Sequence, residues 1–437
     1  MPKRETGQDL PGESLLCQNN LASERTENRI PSSSMSLRPY GSAERRAIDL
    51  LEEHSGRLNL LESIRWRKGV ETDFFAKGAD VLPKPVYAID NDEIGKSLRS
   101  LVAAHKGLTG TNPLEELLRR SLQSTIDTFR MLLSVGTHGF YELSLTLFGG
   151  SKTPFDRDST NTDLAGHVRR RLAVPSRSEN PYPLTSREFI REMGKRLRVE
   201  HTDMPIEFVL DDELTAKVIA GAKRVRVRED ARFSLAEARS LFVHEIETHC
   251  LTAQNGADQT NLRFLRSGGP RTTMTQEGLA VFAELYDRSL SSARLLRIAD
   301  RVRVVGMAED GASFLDVYRE LVSEGEEPKE AYAITTRVFR GGVLEGGAPF
   351  TKDACYLSGL VRVYNHLRGA IDGDPAHSVD ALFVGRIALE DADVLPGLFE
   401  AGLLDPPLRL PGWVTRREEL AAYFAFTSFL SEIDLKS

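Results

Sequence analysis

Two histidines five residues apart, with a glutamate beside the first, constrain this chain more than any other feature. Leu241 to Thr252 reads LFVHEIETHCLT, so His244, Glu245 and His249 form an H-E-x-x-x-H pattern. In the commoner H-E-x-x-H pattern of metal-binding helices the histidines stand four apart and share a face. At about 100° per residue, five residues turn through about 500° and leave the two rings about 140° apart. A regular α-helix therefore cannot aim both at one point. A π-bulge restores the alignment, and such bulges collect at functional sites. The spacing predicts one between His244 and Thr252. Without it, these are two histidines with separate places on a buried helix.

Local signals make the helix itself secure. Ser234 and Glu237 form an S-x-x-E capping box ahead of the apolar positions Leu235, Ala238, Leu241 and Phe242. Asn255-Gly256 reads as its stop. Further on, Thr275 to Phe282 reads TQEGLAVF and supplies Glu277, near the expected start of a helix carrying Leu279, Phe282, Leu285 and Leu290. A carboxylate in a first turn is also favoured by the helix dipole, so capping is the alternative use of Glu277. Taken together, His244, His249 and Glu277 offer two imidazoles and a carboxylate, the ligand set of a catalytic zinc with an open position. Glu245, beside the first ligand, is placed to act as a base on water.

The stretches HEIETHCLTAQNGADQ and TQEGLAVF resemble the QEGLA-motif family, which includes the microtubule-associated tyrosine carboxypeptidases and bacterial proteins labelled flavohemoglobin-expression-modulating. GTHGFYELSLTLFG (136–149), RVFRGG (337–342) and PFTKDACYLSGL (349–360) are similar to it as well, so the likeness runs from about residue 45 to about residue 430. The family in turn resembles the gluzincins, whose third ligand is a Glu on the following helix, which implies Glu277 as a zinc ligand. Gluzincins often carry an acidic residue four positions after that Glu, where this chain has Val281. The group that orients the histidines is therefore open.

The resemblance implies a mainly helical α+β fold, with a gluzincin-like zinc metallopeptidase core and a small sheet before the active-site helix. It also implies a carboxypeptidase that removes a C-terminal, aromatic residue from a peptide or protein tail. Such an enzyme needs a donor for the developing oxyanion, and Tyr356 is the candidate phenol, with aromatic packing as its alternative. It also needs a receptor for the terminal carboxylate. Arg337, Arg340 and Lys352, all within the similar stretches, are the candidates, with capture of loop carbonyls as their plainer use. A non-catalytic metal-binding regulator and a small-molecule amidase remain as competing functions.

Composition narrows the field further. The 437 residues carry a net charge of −7, which argues against a general nucleic-acid binder. Cys17, Cys250 and Cys355 cannot form a disulfide framework, and their scatter suits a reducing compartment. Cys250 follows His249, so a thiolate ligand is one reading and a small buried residue the other. No run of 18 apolar residues suggests a bilayer-spanning helix, and the N-terminus lacks the apolar centre of a secretory signal. The expected address is the cytoplasm.

Along the chain, residues 1–40 read as disordered, with Met35 opening the first ordered-looking stretch. Residues 41–150 read as a helical layer and 151–437 as the catalytic region. Within the latter, Ile206–Leu210 and Arg224–Arg228 (RVRVR) read as strands. RVRVR alternates Val225 and Val227 with arginines, and as a sheet edge it would accept an extended, acidic peptide; an ordinary half-buried strand is the alternative. Arg169-Arg170-Arg171 reads as a solvated face. Leu395-Pro396-Gly397 reads as a turn, and Glu418–Leu430 as a core helix.

Overall fold

A computed structural model describes residues 40–54, 60–172, 184–212, 214, 216–371 and 378–432. The segment expected to be disordered lies, apart from Tyr40, outside the described residues. The fold is mainly helical α+β with two small sheets. No described helix is long and apolar enough to cross a membrane.

The longest early helix, Pro113–Leu133, shows why the sequence folds as it does. Asn112 caps it by accepting from the Glu115 N–H, and Pro113 sits in the first turn, where its missing N–H costs nothing. Leu114, Leu117, Leu118 and Leu122 recur at helical spacing and are all buried. They join a core built with Phe242, Ile246, Leu279, Phe282, Leu360 and Val363 from the elements around the histidines. Two smaller cores flank this one. Phe74, Phe314, Tyr332 and Phe339 form an aromatic cluster, and Phe140, Phe148 and Phe350 form another.

One helix pair fixes the centre. Pro270–Tyr286 crosses Cys355–Ile371 with Gly278 against Gly359. A Cβ on Gly278 would lie 2.3 Å from the carbonyl of Gly359, so the two backbones touch. This contact brings Glu277, on one helix, beside Tyr356 on the other.

The three-stranded sheet corrects the reading of RVRVR as an edge. Arg224–Arg228 is the central strand, parallel to Glu207–Asp211 and antiparallel to Val218–Ala220. With a neighbour on each side, its backbone has no free ladder for an added peptide. Val225 and Val227 are fully buried, as the alternation requires. The arginines are occupied by Glu207, Asp211 and Asp230 at 3.1, 2.8 and 2.8 Å. That route to an acidic substrate is therefore closed.

One smaller expectation also changes. Leu395-Pro396-Gly397 opens a short helix, Leu395–Glu400, because Pro is tolerated in a first turn and Leu395 and Leu398 bury themselves. The arginine run, which ends the helix Asn161–Arg171, stays at the surface as expected, with Arg169 40% exposed beside Asp300.

Candidate active site

The active-site helix begins as expected. Ser234 Oγ accepts from the Glu237 N–H at 3.0 Å, and the Glu237 carboxylate accepts from the Ser234 N–H at 2.9 Å. Leu235–Leu241 is α-helical, and Phe242–Cys250 is then wound as a π-helix. The expected π-bulge is thus present and extends over nine residues. Its i to i+5 bonding is still visible at its exit, where the Leu251 N–H donates to the Ile246 carbonyl. Thr248 Oγ1 likewise donates to the Val243 carbonyl at 3.0 Å. Under this winding, residues five apart share a face. His244 and His249 accordingly meet edge to face, with ring centroids 4.9 Å apart.

The helix does not stop at Asn255-Gly256. It continues as Leu251–Asp258, because both residues serve packing instead. Asn255 Nδ2 donates to the carbonyls of Phe383 and Arg409, at 2.7 and 2.8 Å. A Cβ on Gly256 would lie 2.4 Å from the backbone of Leu265. Cys250 is buried and donates to the Gly221 carbonyl at 3.1 Å, so its thiol is turned towards the sheet.

Glu277 falls in the middle of Pro270–Tyr286, not in its first turn, so helix capping does not account for it. Its Oε2 lies 3.6 Å from His244 Nε2 and 3.9 Å from His249 Nε2. The three donor atoms all lie within 4.8 Å of one another. A tetrahedral zinc with ligands at about 2.0–2.1 Å sets its donors about 3.3 Å apart, so this donor set fits zinc after a small contraction.

The orienting group left open by Val281 is Glu284, seven residues after Glu277 and two turns along the same face. His244 Nδ1–H donates to Glu284 Oε1 at 2.7 Å, which turns Nε2 towards the other donors. Glu284 is fully buried and also accepts from Ser240 Oγ and from the guanidinium of Arg294, each at 2.7 Å. The second imidazole has its own support. Gln276 lies beside His249 and accepts from Thr252 Oγ1 at 2.9 Å, while Arg386 Nη2 donates to the His249 carbonyl at 3.1 Å.

The charges follow from these contacts. Burial alone would push His244 down, but the nearby Glu277 carboxylate and the hydrogen bond to Glu284 lift it to about 9. Burial and the neighbouring His244 charge push His249 down to about 3. Burial raises Glu245 to about 7, with the His244 charge opposing and Glu277 adding to it. Glu284 is drawn down to about 2 by His244 and Arg294 against the cost of its burial.

The remaining candidates form a basic cluster against Glu277. Lys352 Nζ donates to Glu277 Oε1 at 3.3 Å and to the Tyr356 hydroxyl at 3.0 Å. Arg337 is held by Asp353 through two hydrogen bonds, at 2.6 and 2.8 Å, and also contacts the Tyr356 hydroxyl. Arg340 stacks on Phe350 at 5.6 Å. Arg301, which no motif marked, lies over the Tyr356 ring at 4.8 Å. The fold thus gathers His244, His249 and Glu277 at one point, with Glu245 near enough to feel their charges, Lys352 touching Glu277, and Tyr356 touching Lys352. Arg337 and Arg340 stand one step further out. Gln276 lies inside the TQEGLAVF stretch but is not among the site residues expected from it, and Glu284, Arg294, Arg301 and Arg386 carry no local signature, since each stands at an unmarked position.

The class defined here is a helical α+β protein with a buried two-histidine, one-carboxylate centre. The chain belongs to the microtubule-associated tyrosine carboxypeptidase family, whose model matches residues 72–432. Membership supports a carboxypeptidase-like hydrolase. No curated protein matches the chain in sequence. Among solved structures it is similar to Trypanosoma cruzi metallocarboxypeptidase 1, at 12% identity and a TM-score of 0.29, over 82% of this chain and 89% of that one.

Proposed function

We propose that the protein is a zinc-dependent, gluzincin-like carboxypeptidase that removes a C-terminal aromatic residue from a peptide or protein tail. The observation that carries the reading is the convergence of His244 Nε2, His249 Nε2 and a Glu277 oxygen on one buried point beside Glu245. His244, His249 and Glu277 would hold the zinc. When bound, zinc supplies Lewis acidity that polarises a scissile carbonyl and acidifies water. Glu245, only 9% exposed, takes the proton from the attacking water on its carboxylate and returns it to the leaving amine. Glu284 and Gln276 keep the imidazoles turned inward. The Tyr356 hydroxyl, fixed by Lys352, is the donor for the developing oxyanion. The basic cluster beyond it supplies positive charge for the end of the substrate.

The test begins with zinc content. Protein purified without chelators should carry about one zinc per chain, the stoichiometry of a single three-ligand site. A peptide library read by mass spectrometry should lose single C-terminal residues, aromatic ones first. Glu245→Gln should keep the zinc while turnover falls by about a hundredfold or more, because an amide cannot carry the proton. Absence of zinc, or full turnover by that variant, would sink the reading.

A further inference from the structure

We propose that Arg301 and Arg340 together form the receptor for the substrate's free terminal carboxylate, and that Arg337 only positions the aromatic floor beneath it. The inference rests on the carboxypeptidase reading and names the part of that site that sets exopeptidase specificity.

Four cations, Arg301, Arg337, Arg340 and Lys352, surround Tyr356, and two carboxylates face them. Asp353 is committed to Arg337 through both oxygens. Glu277 is committed to Lys352 and the histidines. Arg301 and Arg340 form no salt bridge with a carboxylate, and the Asp353 charge reaches them only at longer range. Neither guanidinium has a hydrogen-bond acceptor among the described residues, and Arg340 Nε is buried without a partner. Both side chains are half-buried, and burying Arg340 Nε without an acceptor is costly, so the pair is suited to an anion.

The setting also selects the anion's shape. Arg301 lies on the face of Tyr356 and Arg340 on the face of Phe350, at 4.8 and 5.6 Å. Ring faces hold a guanidinium flat and leave its edge free for a planar, two-oxygen acceptor. Burial and the charge of Arg337 both work against the charged form of each, lowering Arg340 to about 10 and moving Arg301 in the same direction. A bound carboxylate relieves both costs. The position is as telling as the charge. From Glu277 the path runs through Lys352 to the Tyr356 hydroxyl, and Arg301 covers that same ring. An anion held there ends the substrate close beyond the scissile bond, which an internal peptide segment cannot satisfy.

The experiment uses the full zinc-loaded chain and two peptides identical except for a free or an amidated terminal tyrosine. The wild-type protein should prefer the free acid by about a hundredfold in kcat/KM, the scale of a lost charge-assisted pair. Arg301→Met and Arg340→Met should each raise KM for the acid by about tenfold or more with little change in kcat, so the acid-to-amide ratio falls towards one. Arg337→Met should instead lower kcat and melting temperature together, with the ratio kept. Arg301→Lys and Arg340→Lys, which keep the charge without the fork, should recover part of the preference and stand in for any Met variant that fails to fold. Calorimetry with N-acetyltyrosine and its amide reads the receptor without turnover. Peptides trimmed equally with acid and amide ends would leave the carboxypeptidase standing and overturn the receptor. An unchanged ratio in folded variants of both arginines would overturn it as well. Acid-selective binding lost in Arg301→Met, in a protein that trims nothing, would keep the receptor and overturn the catalytic reading.

Discussion

At the scale of single residues, Glu284 shows how a site is completed by groups that its motif does not name. The hydrogen bond from His244 Nδ1 to Glu284 fixes the tautomer that leaves Nε2 free for a metal. Glu284→Gln keeps an acceptor but removes the charge and leaves Arg294 without its carboxylate. Zinc affinity should fall by about 10–100-fold, measured by competition with a chromogenic chelator. An unchanged affinity would show that the imidazole is held by its ring packing alone. His244, Glu245, His249 and Glu277 were legible because their chemistry is rare and their spacing is fixed by one helix and its neighbour. Glu284 was not, because helix geometry permits a supporting carboxylate at either four or seven residues beyond a ligand. Only packing against Ser240 and Arg294 selects the second.

At the scale of elements, the spacing of the two histidines contained its own solution. Five residues cannot share an α-helical face, and the chain answers with the nine-residue π-helix Phe242–Cys250. What spacing could not reveal was the meaning of the glycines. Asn255-Gly256 has the composition of a helix stop, yet the helix runs through it because Leu265 lies against Gly256. The same ambiguity hid the role of Gly278, next to Glu277 in the Q-E-G-L-A box. Its value is the missing Cβ, which lets Pro270–Tyr286 touch Cys355–Ile371 at Gly359. Gly278→Ala would place a methyl 2.3 Å from backbone that cannot step aside. The variant should lose about 1–3 kcal/mol of stability, seen as a lower thermal midpoint, and lose zinc as Glu277 is pushed off its position. A variant with wild-type melting and zinc content would mean that the helices separate at no cost. The strand RVRVR was legible as a strand but not as a central one, since alternation reports the buried face and says nothing about which edges are paired.

At the scale of the whole molecule, the interior holds charges whose balance ties stability to pH. Asp353 is 3% exposed and lies among Arg337, Arg301 and Lys352. Burial alone would raise its carboxyl, but Arg337 and Arg301 overcome that and hold it well below its usual range. A carboxyl lowered in the folded state stabilises the fold at pH values above its unfolded pKa of about 3.9. That contribution is lost as the pH falls below about 4, because the unfolded chain takes up the proton first. Asp353→Asn removes this dependence and leaves Arg337 without a charged partner. Near pH 7 the variant should be less stable than wild type by about 3–5 kcal/mol, the cost of breaking one side of a buried pair. In urea unfolding of the metal-free proteins, the gap between the two should narrow steadily below about pH 4. Comparing the two chains cancels the protonation of His244, His249 and Glu277, which both share. A gap that stays constant down to pH 3 would mean that Asp353 carries no proton linkage. The Arg337 pair would then contribute shape to the site and not charge.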